Sequence, residues 1–216
     1  MESMRNTSRS CNKLFALLIV PCCYLAGCAS SVTVRSDFPT PLIEPLPVHV
    51  GLIFSEELRD FQHHEELPQQ ANWTIDLGDI NITMLQPLFE SMFVETQNVE
   101  AIPVDMPENN ALDGILRASL NRFEFDVPVN SDNKFTEVWM QYQLDLYEPG
   151  GELITEWQVS GYGKAEIGRT KRTESVSRAA INAMREAGAT ISTRFAQQPR
   201  IGFWLKERQD ADSINE

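Results

Sequence analysis

Beyond residue 28 the chain has no cysteine. Its four, Cys11, Cys22, Cys23 and Cys28, all fall in the opening stretch. The body can therefore build neither a disulfide framework nor a thiol nucleophile. Histidine is nearly as scarce, with only His49, His63 and His64, so imidazole chemistry can be weighed one residue at a time. Basic residues are few, 18 Lys and Arg against 31 Asp and Glu. After Cys28 no apolar run approaches the roughly 20 residues that a bilayer-spanning helix needs. The G-x-S-x-G elbow, the P-loop, G-x-G-x-x-G and C-x-x-C are also missing, which removes the common serine-hydrolase, nucleotide-binding and dithiol signatures.

What the chain does have is a distinctive start. Arg5, Arg9 and Lys13 precede the apolar run Leu14–Leu25, which only Pro21 interrupts. About 12 apolar residues are too few to span a bilayer, but with a basic flank and small residues behind them they make a secretory signal. That signal ends in Leu25-Ala26-Gly27-Cys28, which resembles the lipobox of bacterial lipoproteins. The resemblance implies a diacylglyceryl group on the Cys28 sulfur, cleavage just before it, and acylation of the new amino terminus. Cys28 is then residue one of the mature protein, and its lipid is the membrane partner. Two or more acyl chains anchor stably where one binds only marginally. Ala29 and Ser30 follow in place of the aspartate that usually retains proteobacterial lipoproteins in the inner membrane. The implied location is the periplasmic leaflet of the outer membrane.

Loss of residues 1–27 removes three basic residues and one acidic one, leaving 15 basic against 30 acidic and a formal charge of −15. Such a surface disfavours nucleic acid as a partner. It suits a body held near a membrane by lipid. The 189 residues from Cys28 onward are the size of one domain with tails.

The expected organisation is a signal over 1–27, an anchor and tether over 28–47, one α/β domain over 48–205, and a polar tail over 206–216. Pro39, Pro41, Pro45 and Pro47 make the tether a non-helical, semi-rigid spacer with a reach of roughly 60 Å. The alternative is that it lies along the domain as an irregular first strand. Val48–Phe54 reads as a central strand, apolar on both faces except at His49. A short helix is weakly signalled at Glu56–Gln62, and Trp73–Leu77 alternates as a strand. Met84, Leu85, Leu88, Phe89, Met92 and Phe93 form one helical stripe, capped by Thr83, with Pro87 in the first turn. Val99–Val104 follows as a strand, giving a right-handed crossover if it shares a sheet with Trp73–Leu77.

Later the period changes to two. Gly114–Val127 is a long strand with an irregularity expected near Asn121–Arg122. Val138, Met140, Tyr142, Leu144 and Leu146 line one face of the next strand. A Pro149-Gly150-Gly151 turn brings the chain back along Leu153–Lys164. Clean alternation leaves one sheet face covered and the other facing water or a partner. The cover is a helix from Glu174 to Gln197, with Val176, Ala180, Ala183, Met184, Ala187, Ile191 and Phe195 on one stripe. Arg200–Leu205 reads as an edge strand. The fold class is α/β, specifically an α+β two-layer sandwich. Its mixed sheet has late antiparallel strands and is covered by two main helices. With VHVGLIFS at 48–55, the 113–125 strand and the 174–199 helix, it resembles small periplasmic lipoproteins that accompany envelope transport and assembly machines. It also resembles the amino-terminal domain shared by some secretion and translocation proteins.

Chemistry is harder to find. His49, between valines in a strand, reads as structural. His63-His64-Glu65-Glu66 has metal-binding residue types but lacks the i,i+4 spacing that points two rings the same way, and a solvated loop explains it. No metal or other cofactor is expected. With 30 acidic residues, some carboxylate pair is always available, so no pair is informative. Two features remain as partner-binding candidates. One is the basic cluster Lys164, Arg169, Lys171 and Arg172, against which stands a solvated loop. The other is Trp139 and Tyr147, aromatic anchors among polar residues on one strand face, against which stands burial under the 105–112 loop. The expected function is a non-catalytic adaptor or accessory subunit in cell-envelope assembly, maintenance or transport, with an envelope protein as partner. The alternatives are a carrier of an apolar ligand and a hydrolase with dispersed carboxylates.

Overall fold

The computed structural model describes residues 29–66, 72–102, 112–128, 134–168 and 171–215, with side chains placed up to residue 210. The signal, Cys28 and Arg169 lie outside the described residues. The architecture is mixed α/β, as the sequence pattern implies. A five-stranded sheet has the order β5 (Phe93–Asn98), β2 (Leu46–Phe54), β6 (Gly114–Asp126), β7 (Phe135–Tyr147), β8 (Leu153–Glu166). β2 is parallel to β5 and β6, whereas β6, β7 and β8 are antiparallel. A second sheet has the order β1 (Ala29–Thr33), β4 (Asn72–Asp76), β3 (Gln62–Glu65). The helices are α1 (Glu56–Arg59), α2 (Gly78–Met92), α3 (Arg172–Arg194) and α4 (Pro199–Asn215), with a 3₁₀ turn at Phe195–Gln197.

One face of the large sheet carries the core. Val50, Leu52 and Phe54 of β2 join Leu116, Ala118 and Leu120 of β6 and Val138 to Leu146 of β7, in steps of two, in a single buried cluster with α2 and α3. Strand alternation puts these residues on one side. The expected irregularity in β6 is present, as a register shift between Leu120 and Arg122. It returns Phe123 and Phe125 to the core side.

The seating of α3 is set by β8. A Cβ at Gly161 would lie 2.1 Å from the carbonyl oxygen of Ala183, and one at Gly163 only 1.8 Å from that of Ala179. Only glycine admits this approach, and the helix answers with a stripe of buried alanines at 179, 183 and 187. The same helix covers the outer edge of β8. Glu186 accepts the Tyr162 backbone N–H at 2.6 Å, Asn182 donates to the Lys164 carbonyl at 3.0 Å, and Arg178 donates to that of Glu166. Steps of four on the helix match steps of two on the strand, because both advance about 6 Å.

Several elements differ from the sequence pattern. Ala29–Thr33 is not part of a spacer but a strand, parallel to β4, with Val32 and Val34 buried. The prolines begin only at Pro39, so nothing in residues 29–33 opposes pairing. His63 and His64 lie in β3 rather than a loop, since pairing with β4 satisfies a polar backbone as readily as an apolar one. α2 starts at Gly78, five residues before the expected cap, which puts Pro87 inside it. β5 starts at Phe93, directly at the end of α2, and does not share a sheet with β4. Arg200–Leu205 is helical. Ile201, Trp204 and Leu205 are buried at a three-and-four spacing, and Pro199 occupies the first helical position that tolerates its missing N–H. The polar residues that follow continue α4 as far as Asn215.

Candidate functional site

The other face of the large sheet is the candidate site. On β6 it carries Arg117, Ser119, Arg122 and Glu124, on β7 Glu137, Trp139, Gln141, Gln143 and Asp145, and on β8 Glu156, Ser160, Tyr162 and Lys164. Among the described residues no helix covers it. Near its Phe135 end Trp139 faces Tyr162 in the β7–β8 register, with ring centroids 5.3 Å apart. The Tyr162 N–H and the Lys164 and Glu166 carbonyls point outward to α3. Trp139 and Tyr162 therefore form a non-hydrogen-bonded pair, the kind whose side chains approach most closely. Both rings are open to solvent, at 41% and 39% of their full exposure.

Charged pairs frame these rings. Lys164 donates to Glu137 at 2.9 Å and lies 4.5 Å from the Phe135 ring centroid. The hydrogen bond holds the Lys164 ammonium above its usual range and is the main reason the Glu137 carboxyl lies below its own. Burial, followed by the hydrogen bond to Glu137, raises the Tyr162 phenol. On the β6 side Arg122 donates to Glu124 through Nε at 2.8 Å. Between these pairs lies a shallow depression of about 420 Å³ lined by Arg122, Glu124, Trp139, Gln141, Ser160 and Tyr162.

Towards the opposite end the face closes into a chain of hydrogen-bonded polar side chains. Arg117 donates twice to Asp145, at 3.1 and 2.6 Å, and its guanidinium lies 5.3 Å from the Tyr147 ring centroid. Gln143 donates to the other Asp145 oxygen at 2.7 Å, and Asn121 to Gln143 at 3.4 Å. Asp145 is 3% exposed, and these donors satisfy both of its carboxylate oxygens.

Trp139 and Tyr147, expected together, separate here. Tyr147 is 8% exposed and belongs to a small apolar cluster with Ile53, Leu112 and Ile115. Tyr147 packs beside Leu112, while residues 105–111 of the loop named in the alternative lie outside the described residues. Lys164 stands on the sheet face, engaged by Glu137, whereas Lys171 and Arg172 are exposed at the start of α3. Sequence reasoning missed Tyr162 and Phe135. The alternation of Gln158, Ser160, Tyr162 and Lys164 carries the signal for Tyr162, but only the hairpin register brings it opposite Trp139.

The histidines are occupied locally. His49 of β2 receives Asp113 on its backbone N–H at 2.8 Å, and its ring lies 3.7 Å from Glu95. Adjacent positions in β3 send His63 and His64 to opposite faces, one to Glu65 at 3.0 Å and the other to Thr74 at 3.1 Å. Among the described residues no three His, Cys, Asp or Glu side chains are grouped to hold a metal ion. Asn81 is fully buried, donating to the Leu58 carbonyl and accepting from the Tyr142 hydroxyl.

A second concavity, about 360 Å³, runs between α2 and α3. Met84, Leu88, Met184 and Gly188 line it, and the segment 38–41 lies along it.

No family model and no curated protein matches the sequence. Among solved structures, a candidate homolog of a neuraminyllactose-binding hemagglutinin from Helicobacter pylori superposes with a TM-score of 0.55. It is 12% identical, over 83% of this chain and all of its own. A Xanthomonas campestris protein matches with a TM-score of 0.49 at 10% identity, over 85% of this chain and 99% of that one. A minor lipoprotein from Acinetobacter baumannii gives 0.43 at 9% identity, over 70% and 92%. The first of these shares the fold. Identity this low carries no residue of the site from one chain to another.

Proposed function

We propose that this chain is a lipid-anchored, non-catalytic accessory protein of the outer membrane. It faces the periplasm and binds a protein partner of the cell envelope through the open sheet face. Leu25-Ala26-Gly27-Cys28 supports the anchor, with Cys28 as the acylated residue. The observation that carries the binding reading is the exposed Trp139–Tyr162 pair, set between two ion pairs on a sheet face that no helix covers among the described residues. Aromatic anchors surrounded by satisfied polar groups are what protein interfaces use as energetic centres. Glu124, Glu137 and Asp145 of this face are engaged by arginine, lysine and glutamine partners rather than paired with one another as a reactive carboxylate pair, which is why a catalytic role is not favoured.

The test is a photo-crosslinking residue at position 160, exposed beside the Trp139–Tyr162 pair, in the full-length lipoprotein in cells, followed by gentle detergent purification and mass spectrometry. One stoichiometric envelope protein should be captured from position 160, not from exposed Phe203, and lost in a Cys28→Ala strain. Recovery of the chain alone, or the same proteins from both positions, would overturn the reading.

The groove between α2 and α3 supports a second reading, a carrier of an apolar ligand. Its apolar lining and volume suit an acyl chain. Native mass spectrometry showing lipid beyond the anchor, removed by Gly188→Leu, would favour the carrier.

A further inference from the structure

If Cys28 carries the lipid, the geometry of β1 dictates how the body meets the bilayer. β1 begins at Ala29, so only one peptide bond, about 3.8 Å from Cα to Cα, separates position 28 from a residue already paired in a sheet. No spacer intervenes. The question is then which end of the molecule Ala29 marks.

The registers answer it. Ser30 pairs with Trp73, whose ring lies 5.5 Å from that of Phe125. Phe125 pairs with Val138, and Val138 with Gly163. The start of β1 is therefore level with the end of β6, the start of β7 and the end of β8. From Trp73 the chain runs inward, because Asn81, eight residues on, meets the Tyr142 hydroxyl at 2.8 Å, four β7 residues past Val138. β1 is parallel to β4 and runs inward too. Its first residue consequently points to the end occupied by Phe135, Asp126, Glu166 and the first turn of α3. The β7–β8 turn, with Leu153 just beyond it, lies at the opposite end, roughly 40 Å away along a 13-residue strand.

We infer that the Phe135 end of the body seats directly on the headgroup layer of the bilayer that holds the anchor, with the long strands rising from it. Phe135 is 40% exposed there with the Lys164 ammonium above its ring, an apolar body with a cationic tip of the kind that suits a headgroup layer. Lys134, Lys171 and Arg172 are exposed at the same end. So are Asp126, Glu166 and Glu174, so the contact is not selective for anionic lipid and is set by the anchor rather than by charge. Trp139 and Tyr162 then stand just above the membrane surface, and the partner face looks sideways along the bilayer. A partner that reaches it is itself embedded in, or lying on, that membrane.

This inference rests on acylation of Cys28, and the experiment separates the two. The acylated chain has no free thiol beyond Cys28, so single cysteines at positions 134, 135 and 153 can each be labelled with a fluorophore. The full-length lipoprotein is purified, its mass is measured to establish the acyl groups, and it is inserted in phosphatidylcholine vesicles containing a headgroup-nitroxide lipid. Labels at 134 and 135 should be quenched several-fold more than the label at 153, and adding anionic lipid should not change the ratio. Two positions at one end guard against a label that perturbs the strand. An acylated, vesicle-bound chain with equal quenching at both ends, or more at 153, would overturn the seating and leave the anchor intact. A chain without acyl groups would overturn both.

Discussion

A Cβ on Gly163 of β8 would come within 1.8 Å of the Ala179 carbonyl oxygen of α3. The obstacle is helix backbone, which cannot swing aside as a side chain would. Gly163→Ala must push α3 off the sheet along its whole alanine stripe and should cost about 3 kcal/mol, the upper part of the usual overpacking range. A Cβ on Gly150, in the β7–β8 turn, would meet nothing within 4 Å. Gly150→Ala should stay within about 0.5 kcal/mol of the parent. Urea unfolding of both variants checks the contrast, and similar midpoints would show that the close approach is not what seats the helix.

The separation of Trp139 from Tyr147 makes a second test. Both sit on the same strand face, yet one is open and the other fills the Ile53–Leu112–Ile115 cluster. Tyr147→Ala should destabilise the fold by about 3 kcal/mol, as other large-to-small aromatic truncations do. Trp139→Ala should cost under about 1 kcal/mol, the loss of an exposed aromatic pair, while abolishing partner capture at the sheet face. Thermal unfolding read beside in-cell crosslinking distinguishes the two. Equal stability loss would mean that Trp139 is a packing residue and the face is not a binding site.

Much of this was legible in the sequence where the pattern was long. The strands β6, β7 and β8 and helix α3 each repeat their period several times, so even the irregularity at Leu120–Arg122 was visible. Short or compositionally ambiguous pieces were not. Ala29–Thr33 is too short to show a period beside a proline-rich neighbour. Ile201, Phe203 and Trp204 fit either period until the burial of Leu205 and the exposure of Phe203 decide it. Trp139 was legible as a candidate, but its partner Tyr162 was not. Cross-strand register depends on the length and shape of the turn, which the alternation of either strand alone does not contain.

The Glu137–Lys164 pair should give a small pH dependence with a definite sign. Its hydrogen bond lowers the folded-state pKa of Glu137, so the stabilisation is present above the ordinary glutamate range and is lost as pH falls through the lowered value. Lys164 is raised, so its share is present below the ordinary lysine range and is lost only as pH rises through the raised value. Across the neutral range the contribution is flat. The side chains are 44% and 22% exposed, and solvent keeps the effect modest. The melting-temperature gap between the parent and Glu137→Gln should therefore be widest at neutral pH and close in acid. A gap that persists unchanged in strong acid would assign the difference to something other than the ion pair.

The outer edge of β8 offers the last test. An edge strand exposes a row of N–H and C=O groups that can recruit another chain. Here Arg178, Asn182 and Glu186 reach over the edge to the backbone of Glu166, Lys164 and Tyr162. The alanine stripe beside them, not these polar side chains, holds α3 in place. Replacing all three with alanine should leave the helix seated and the fold intact by circular dichroism, yet bare the edge. The triple variant is expected to self-associate with concentration, seen as a rising weight-average mass in sedimentation equilibrium, while the parent stays unchanged over the same range. Adding back Asn182 alone, which sits mid-row, should reverse much of the association. A triple variant that remains as monodisperse as the parent would show that close packing of α3 already shields the edge and that the side-chain row is dispensable.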